Sequence, residues 1–140
     1  MKAMRSTRSL ACQAGALLIA MAACGPVTAA TPAELLAGYT AQAGAAASPE
    51  RGQKLFGTNF GRDLGLSCSS CHGDNPARSG KNELSGKRIA PLAPATNPAR
   101  FTDAKVVENW FRQNCRDVIG RDCTAGEKAD ILAWLLTIKP

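Results

Sequence analysis

The chain has 140 residues, enough for one small domain, and 17 basic against 11 acidic residues give it a formal net charge of +6. Lys2, Arg5 and Arg8 take three of those basic residues and no acidic one into the first 30 positions, so the remainder carries only +3. That balance gives no case for nucleic-acid binding, and the apparent basicity is mainly a property of the N-terminus.

The N-terminus itself reads as an export signal. A positive head is followed by an apolar run from about Leu10 to Ala23, and then by small residues up to Val27-Thr28-Ala29-Ala30. Cleavage near Ala29 or Ala30 divides the chain into a signal peptide, 1–30, and a domain, 31–140, delivered to the periplasm. The apolar run is short for a permanent membrane helix. Met21-Ala22-Ala23-Cys24 loosely resembles a bacterial lipoprotein box, and lipidation of Cys24 is the one route to a membrane contact.

The expected elements follow in order. Thr31-Pro32-Ala33-Glu34 places an N-cap, a proline at the first helical position and a glutamate at the third, with Leu35, Leu36 and Tyr39 at helical spacing behind them. Ala41 to Ala47 ends that helix. Ser48-Pro49-Glu50 opens a second, with Gly52, Leu55 and Phe56 on its apolar face. A glycine inside a helix costs about 1 kcal/mol relative to alanine, and close approach of another helix is a reason to keep one there.

Cys68-Ser69-Ser70-Cys71-His72 is C-x-x-C-H, the attachment signature of a c-type haem. Cysteines three apart on a helical turn share one face, so both thiols can add to the vinyl groups of one porphyrin. The next residue, His72, can then ligate the iron. A thioredoxin-like pair would sit in a β-α-β context that is missing here. Half a zinc site is the other reading, but Cys115 and Cys123 are too widely spaced to complete it. One covalent haem c is therefore the expected cofactor.

From Gly73 to Arg100 the chain is polar and punctuated by proline, with no strand pattern strong enough to assign; Ile89-Ala90-Pro91-Leu92-Ala93-Pro94 is its one apolar stretch. That stretch resembles the segment lining the histidine side of small cytochromes c. By that likeness a carbonyl near Pro91 accepts the free N–H of His72, with Leu92 beside the ring; an ordinary proline-rich turn is the alternative. A third helix opens near Thr102-Asp103. Val106, Val107, Trp110 and Phe111 form its apolar stripe, which Asn114 continues. Trp110 and Phe111 read either as haem-pocket wall or as plain core. The chain is expected to turn from Cys115 to Cys123, a leftover pair that closes in an oxidising compartment, unless both remain free thiols. A last helix begins at the capping box Thr124-Ala125-Gly126-Glu127 and carries Ile131, Leu132, Trp134, Leu135 and Ile138. The expected fold is all-α, four or five helices wrapped around one haem.

All three methionines, Met1, Met4 and Met21, lie in the signal, and His72 is the only histidine. The His/Met and bis-histidine ligand sets of ordinary electron-transfer cytochromes are thus excluded within the mature chain. The sixth iron position is left empty, water-filled, or taken by Asn114, Lys81, Lys87 or Tyr39. Asn114 is the best placed, being a polar amide on an apolar stripe. A hard, neutral amide oxygen suits ferric better than ferrous iron, so reduction would open the site to O2, NO or CO. An asparagine capping the end of its helix is the plainer reading.

Arg100-Phe101-Thr102-Asp103, Asn114-Cys115, Gly120-Arg121-Asp122-Cys123 and Gly126-Glu127-Lys128-Ala129-Asp130, with Gly86-Lys87 and Ala90-Pro91-Leu92-Ala93-Pro94, resemble the sphaeroides haem protein family of high-spin class I cytochromes c. The resemblance implies Asn114 as a distal ligand that leaves on reduction, oxygen or nitric oxide binding by the ferrous form, a Cys115–Cys123 disulfide, and a dihaem cytochrome c as electron donor. The competing function is an enzyme: a peroxidase, or an NO or O2 reductase, acting at the vacant iron. The lack of a second histidine as acid–base group counts against it. A pure electron carrier with incidental ligand switching is the third reading.

Overall fold

A computed structural model of the protein describes residues 29–62 and 65–140. The signal-like segment up to residue 28, with the three methionines and Cys24, lies outside the described residues. Five helices and one small ribbon follow in order: α1 Pro32–Ala43, α2 Pro49–Gly57, α3 Cys68–His72, β1 Gly80–Lys81, β2 Arg88–Ile89, α4 Ala104–Val118 and α5 Ala125–Thr137. The architecture is the expected all-α one, with the ribbon as an addition.

Local chemistry starts each helix where the sequence places it. Thr31 caps α1 in a capping box with Glu34, Ser48 caps α2, Asp103 caps α4, and Thr124 with Glu127 repeats the box on α5. The short α3 uses serines for the same purpose. Ser67 accepts from the Ser70 N–H, and the Ser70 hydroxyl accepts from the Ser67 N–H at 3.0 Å.

The helical body is built on α5, which packs along both α1 and α2. Ala129, Leu132 and Leu135 are fully buried. One core cluster joins Tyr39, Val107, Ala129 and Leu132; the other joins Phe56, Ile131, Trp134 and Leu135. At the α2–α5 crossing, Gly52 is buried, and a Cβ there would run into the backbone carbonyl of Asp130. This is the close approach that explains a glycine inside α2. Asp130 is only 7 % exposed, and its carboxylate accepts from the Ser48 N–H at 2.7 Å, Arg51 Nε at 2.7 Å and Arg51 Nη2 at 2.8 Å. A buried charge with three donors is satisfied, and both sides of the crossing are thereby locked.

Helix α4, expected to open near Thr102-Asp103, runs past the expected turn. It continues through Cys115 to Val118 and is capped at Ile119. The Ile119 and Gly120 N–H groups close back onto Cys115 and Arg116 carbonyls, so the chain turns four residues later than the sequence suggests. The ribbon is likewise beyond the sequence reading: β1 and β2 pair antiparallel, Gly80 opposite Ile89 and Lys81 opposite Arg88.

Gly52→Ala is expected to destabilise the fold by about 1–3 kcal/mol, the usual scale of overpacking, despite the better helix propensity of alanine. Urea unfolding followed by circular dichroism checks it; a stability equal to or above that of the wild type would show that the crossing is looser than described.

Candidate haem site

Between α3, the 82–103 segment and α4 lies a cavity of about 580 Å³, within the size range of cofactor sites. Cys68, Cys71 and His72 enter it from α3. Phe56, Leu66, Ile89, Leu92, Phe101, Val106 and Leu135 supply an apolar lining, and Trp110, Phe111 and Asn114 face it from α4.

The attachment motif is held from behind. The Phe56 ring lies 6.1 Å from the His72 ring and 4.9 Å from Trp134 of α5, so the ligand helix rests on the body through one aromatic contact. From the loop side Gly80 presses on α3: a Cβ there would collide with the Cys71 carbonyl and come within 2.8 Å of the His72 Cα. The ribbon thus closes on the motif backbone where only glycine fits.

Cys68 and Cys71 are half-buried at the cavity edge, and neither is in a disulfide. Burial pushes the Cys68 thiol up to about 11. Burial, with help from the Arg100 guanidinium, lowers the His72 pKa, which favours the neutral imidazole, the form with a lone pair for a metal. Two thiols and one neutral imidazole on a single turn, opening into an apolar cavity, are the donor set a covalently bound haem requires. Among the described residues no cluster of three or more His, Cys, Asp or Glu side chains is arranged to hold a bare metal ion.

Several expectations are placed differently. The Pro91 carbonyl does not take the His72 N–H. It accepts from Asn97 Nδ2 at 3.0 Å and Arg100 Nε at 3.1 Å, while Arg100 Nη2 reaches the Ala90 carbonyl at 3.0 Å. Both acceptor positions of that oxygen are filled by side chains six and nine residues further on, which local spacing does not reveal. Pro91 itself is outside the lining, whereas its neighbour Leu92 is in it. Tyr39 is buried in the core, its hydroxyl facing Glu108 without a hydrogen bond of good geometry, and does not reach the cavity. Lys81 is also outside the lining and Lys87 inside it. Phe111 serves both readings made for it: it lines the cavity and packs edge-on against Tyr39 at 5.8 Å. Trp110 is 53 % exposed and belongs to the wall, not the core. Phe101, with φ +61, is a bulky residue in left-handed backbone; it wedges between both core clusters and the cavity. Nothing local in the sequence announces that strain.

Asn114 lies inside α4, five residues before the cap at Ile119. The helix-capping reading is therefore removed. The next residue, Cys115, is disulfide-bonded to Cys123 with a Cα–Cα distance of 5.7 Å. Arg116 pairs with Asp122 at 2.6 Å and Arg121 with Glu127 at 2.7 Å across the same turn. On the inner face Lys128 pairs with Glu108 at 2.7 Å, its ammonium 5.4 Å from the Tyr39 ring centroid. These ties, with buried Val107, hold α4 over the cavity without an extended helix–helix seam.

The chain is 50 % identical over 123 residues to the cytochrome c-type protein SHP of Cereibacter sphaeroides, covering 85 % of this chain and 95 % of that one. The chain belongs to the sphaeroides haem protein family. Residues 42–135 also match a family described as "Domain of unknown function (DUF1924)". The solved structure of oxidised SHP, described as an oxygen-binding cytochrome c, superposes with a TM-score of 0.72 at 52 % identity over 79 % of this chain and 99 % of that one. Oxidised cytochrome c'' from Methylophilus methylotrophus gives 0.72 at 40 % identity over 78 % and 95 %. The protein is thus a small c-type cytochrome with haem c as its cofactor, and its fold is that of SHP and cytochrome c''.

Acid should loosen the turn behind Asn114. The Arg121 guanidinium holds the Glu127 carboxyl below its ordinary value, and Arg116 does the same for Asp122. A carboxyl depressed in the folded state contributes stability that is complete above its unfolded pKa, about 4, and is lost as pH falls through the folded value. Melting temperature should stay level above about pH 5 and fall below about pH 4. Arg121→Met should flatten part of that fall; an unchanged profile would show that the pair carries none of it.

Proposed function

We propose that this protein is a periplasmic monohaem cytochrome whose iron is ligated by His72 and, displaceably, by Asn114. Cys68 and Cys71 attach the haem through thioethers. The haem supplies one-electron chemistry and a coordination position that can exchange ligands. The chain's own residues determine how that position is used.

The observation that carries this reading is the place of Asn114: an interior position of α4, facing the cavity that His72 enters from α3. Among the described residues no methionine and no second histidine competes with it. An amide oxygen is a hard donor and holds ferric iron better than ferrous. On reduction the Asn114 carboxamide is expected to leave, making room for O2 or NO between Trp110, Phe111 and Val106. Those three side chains offer neither an acid nor a base, which favours gas binding over peroxidase-like turnover. The relative described as an oxygen-binding cytochrome c and the cytochrome c'' study concerned with haem-ligand detachment both lend support. The closed Cys115–Cys123 disulfide favours an oxidising compartment, consistent with export by the segment 1–30. A dihaem cytochrome c is the proposed electron donor.

The ferric haem protein should be high-spin or mixed-spin and lack the methionine–iron charge-transfer band. Anaerobic reduction should give a five-coordinate spectrum that CO and NO each convert. Asn114→Val should leave the ferrous spectrum unchanged while shifting the ferric one toward a water-ligated or five-coordinate form. A low-spin ferric spectrum insensitive to Asn114→Val would sink the assignment.

A further inference from the structure

The hairpin around the ribbon concentrates positive charge in a short stretch of chain. Between residues 78 and 88 stand four basic side chains, Arg78, Lys81, Lys87 and Arg88, and one acid, Glu83. In the helical body and its last turn, Arg51, Arg116, Arg121 and Lys128 each meet a carboxylate at 2.6–2.7 Å, while Lys54, Lys105 and Arg112 meet none among the described residues. In the hairpin none of the four has a carboxylate partner among the described residues.

The arrangement also works against the ribbon itself. Lys81 stands directly opposite Arg88 in the register, both exposed, and like charges facing each other across strands are destabilising. The hairpin is held by other means. Asn82 N–H donates to the Lys87 carbonyl at 2.8 Å, and the Asn82 side chain accepts from Leu84 and Ser85 N–H at 3.1 and 2.7 Å. At its tip Leu84 is 70 % exposed. Leu84, Lys87 and Arg88 all lie on the rim of the haem cavity.

An exposed apolar side chain on a hairpin rich in unpaired positive charge, at the mouth of a redox site, suits a small and transient protein contact. We infer that the 78–88 hairpin is the docking surface for an electron-donating protein that presents an acidic face. This rests on the haem reading above and adds where its donor binds. In the docked complex one electron leaves the donor's redox centre, which is oxidised, and reduces the ferric haem iron to ferrous; the hairpin transfers no atom or proton. Opposite charge in the partner raises the encounter rate, and salt screens it.

Stopped-flow reduction of the haem-loaded protein tests this, with a reduced, soluble dihaem cytochrome c of acidic net charge as donor and an uncharged hydroquinone as control. Arg78→Glu/Lys81→Glu, both outside the cavity lining, is expected to slow reduction by the cytochrome more than tenfold at low ionic strength and to abolish most of its salt dependence. The hydroquinone rate should stay within twofold. Arg78→Gln/Lys81→Gln should fall between. A cytochrome rate and salt slope untouched by the charge reversal overturn the docking surface, as does a wild type that the cytochrome cannot reduce. Equal slowing with both reductants also overturns it, because the charges would then serve the haem and not a partner. If the hydroquinone cannot reduce even the wild type, the haem reading itself fails.

Discussion

The buried carboxylate of Asp130 is the constraint on which the rest of this molecule hangs. It stands on α5 where that helix passes over Gly52, and it gathers the Ser48 N–H and two guanidinium nitrogens of Arg51 from the start of α2. Hydrogen bonds fix the angle and register of the two helices, and the missing Cβ of Gly52 fixes their separation. With the crossing set, Phe56 can lie against Trp134 on one side and against His72 on the other. The placement of His72, the proposed iron ligand, therefore follows from a helix crossing outside the proposed haem ligands.

The two walls of the site are held by different physics. The attachment motif is gripped by packing: Phe56 behind it and Gly80 pressed onto its backbone. The α4 wall is held at discrete points: the disulfide, the ion pairs of the following turn, Glu108 with Lys128, and Val107 in the core. A wall fixed at points can shift more readily than one fixed along a seam. That division matches the roles proposed for His72, which stays, and Asn114, which leaves.

Much of this was legible before any coordinates. The capping boxes of Thr31 and Thr124 and the cap at Ser48 are satisfied by atoms two to three residues away, so local spacing was enough to read them. The glycine in α2 was legible as a crossing because it costs helix propensity without a local benefit. Asn114 was legible because a polar amide interrupts an apolar stripe. What escaped was non-local. The extension of α4 to Val118 leans on a disulfide closed eight residues away. The ribbon is two residues long on each side, below any periodicity. Arg100 gave no sign that it would reach back to the Ala90 and Pro91 carbonyls and displace the hydrogen bond expected of His72.

The chain's order of residues alone settled the chemistry available to the iron: two thiols and one imidazole on a single turn, and no methionine beyond position 21. These are matters of composition and spacing along one strand of covalent bonds. Only the tertiary structure decided which side chains share the cavity. It kept Asn114, Trp110 and Lys87, set Tyr39 and Lys81 aside, and brought Phe101 into left-handed backbone to seal the space between two cores. Membership of a cavity depends on how separate helices pack, and packing is set by contacts between residues far apart in the chain.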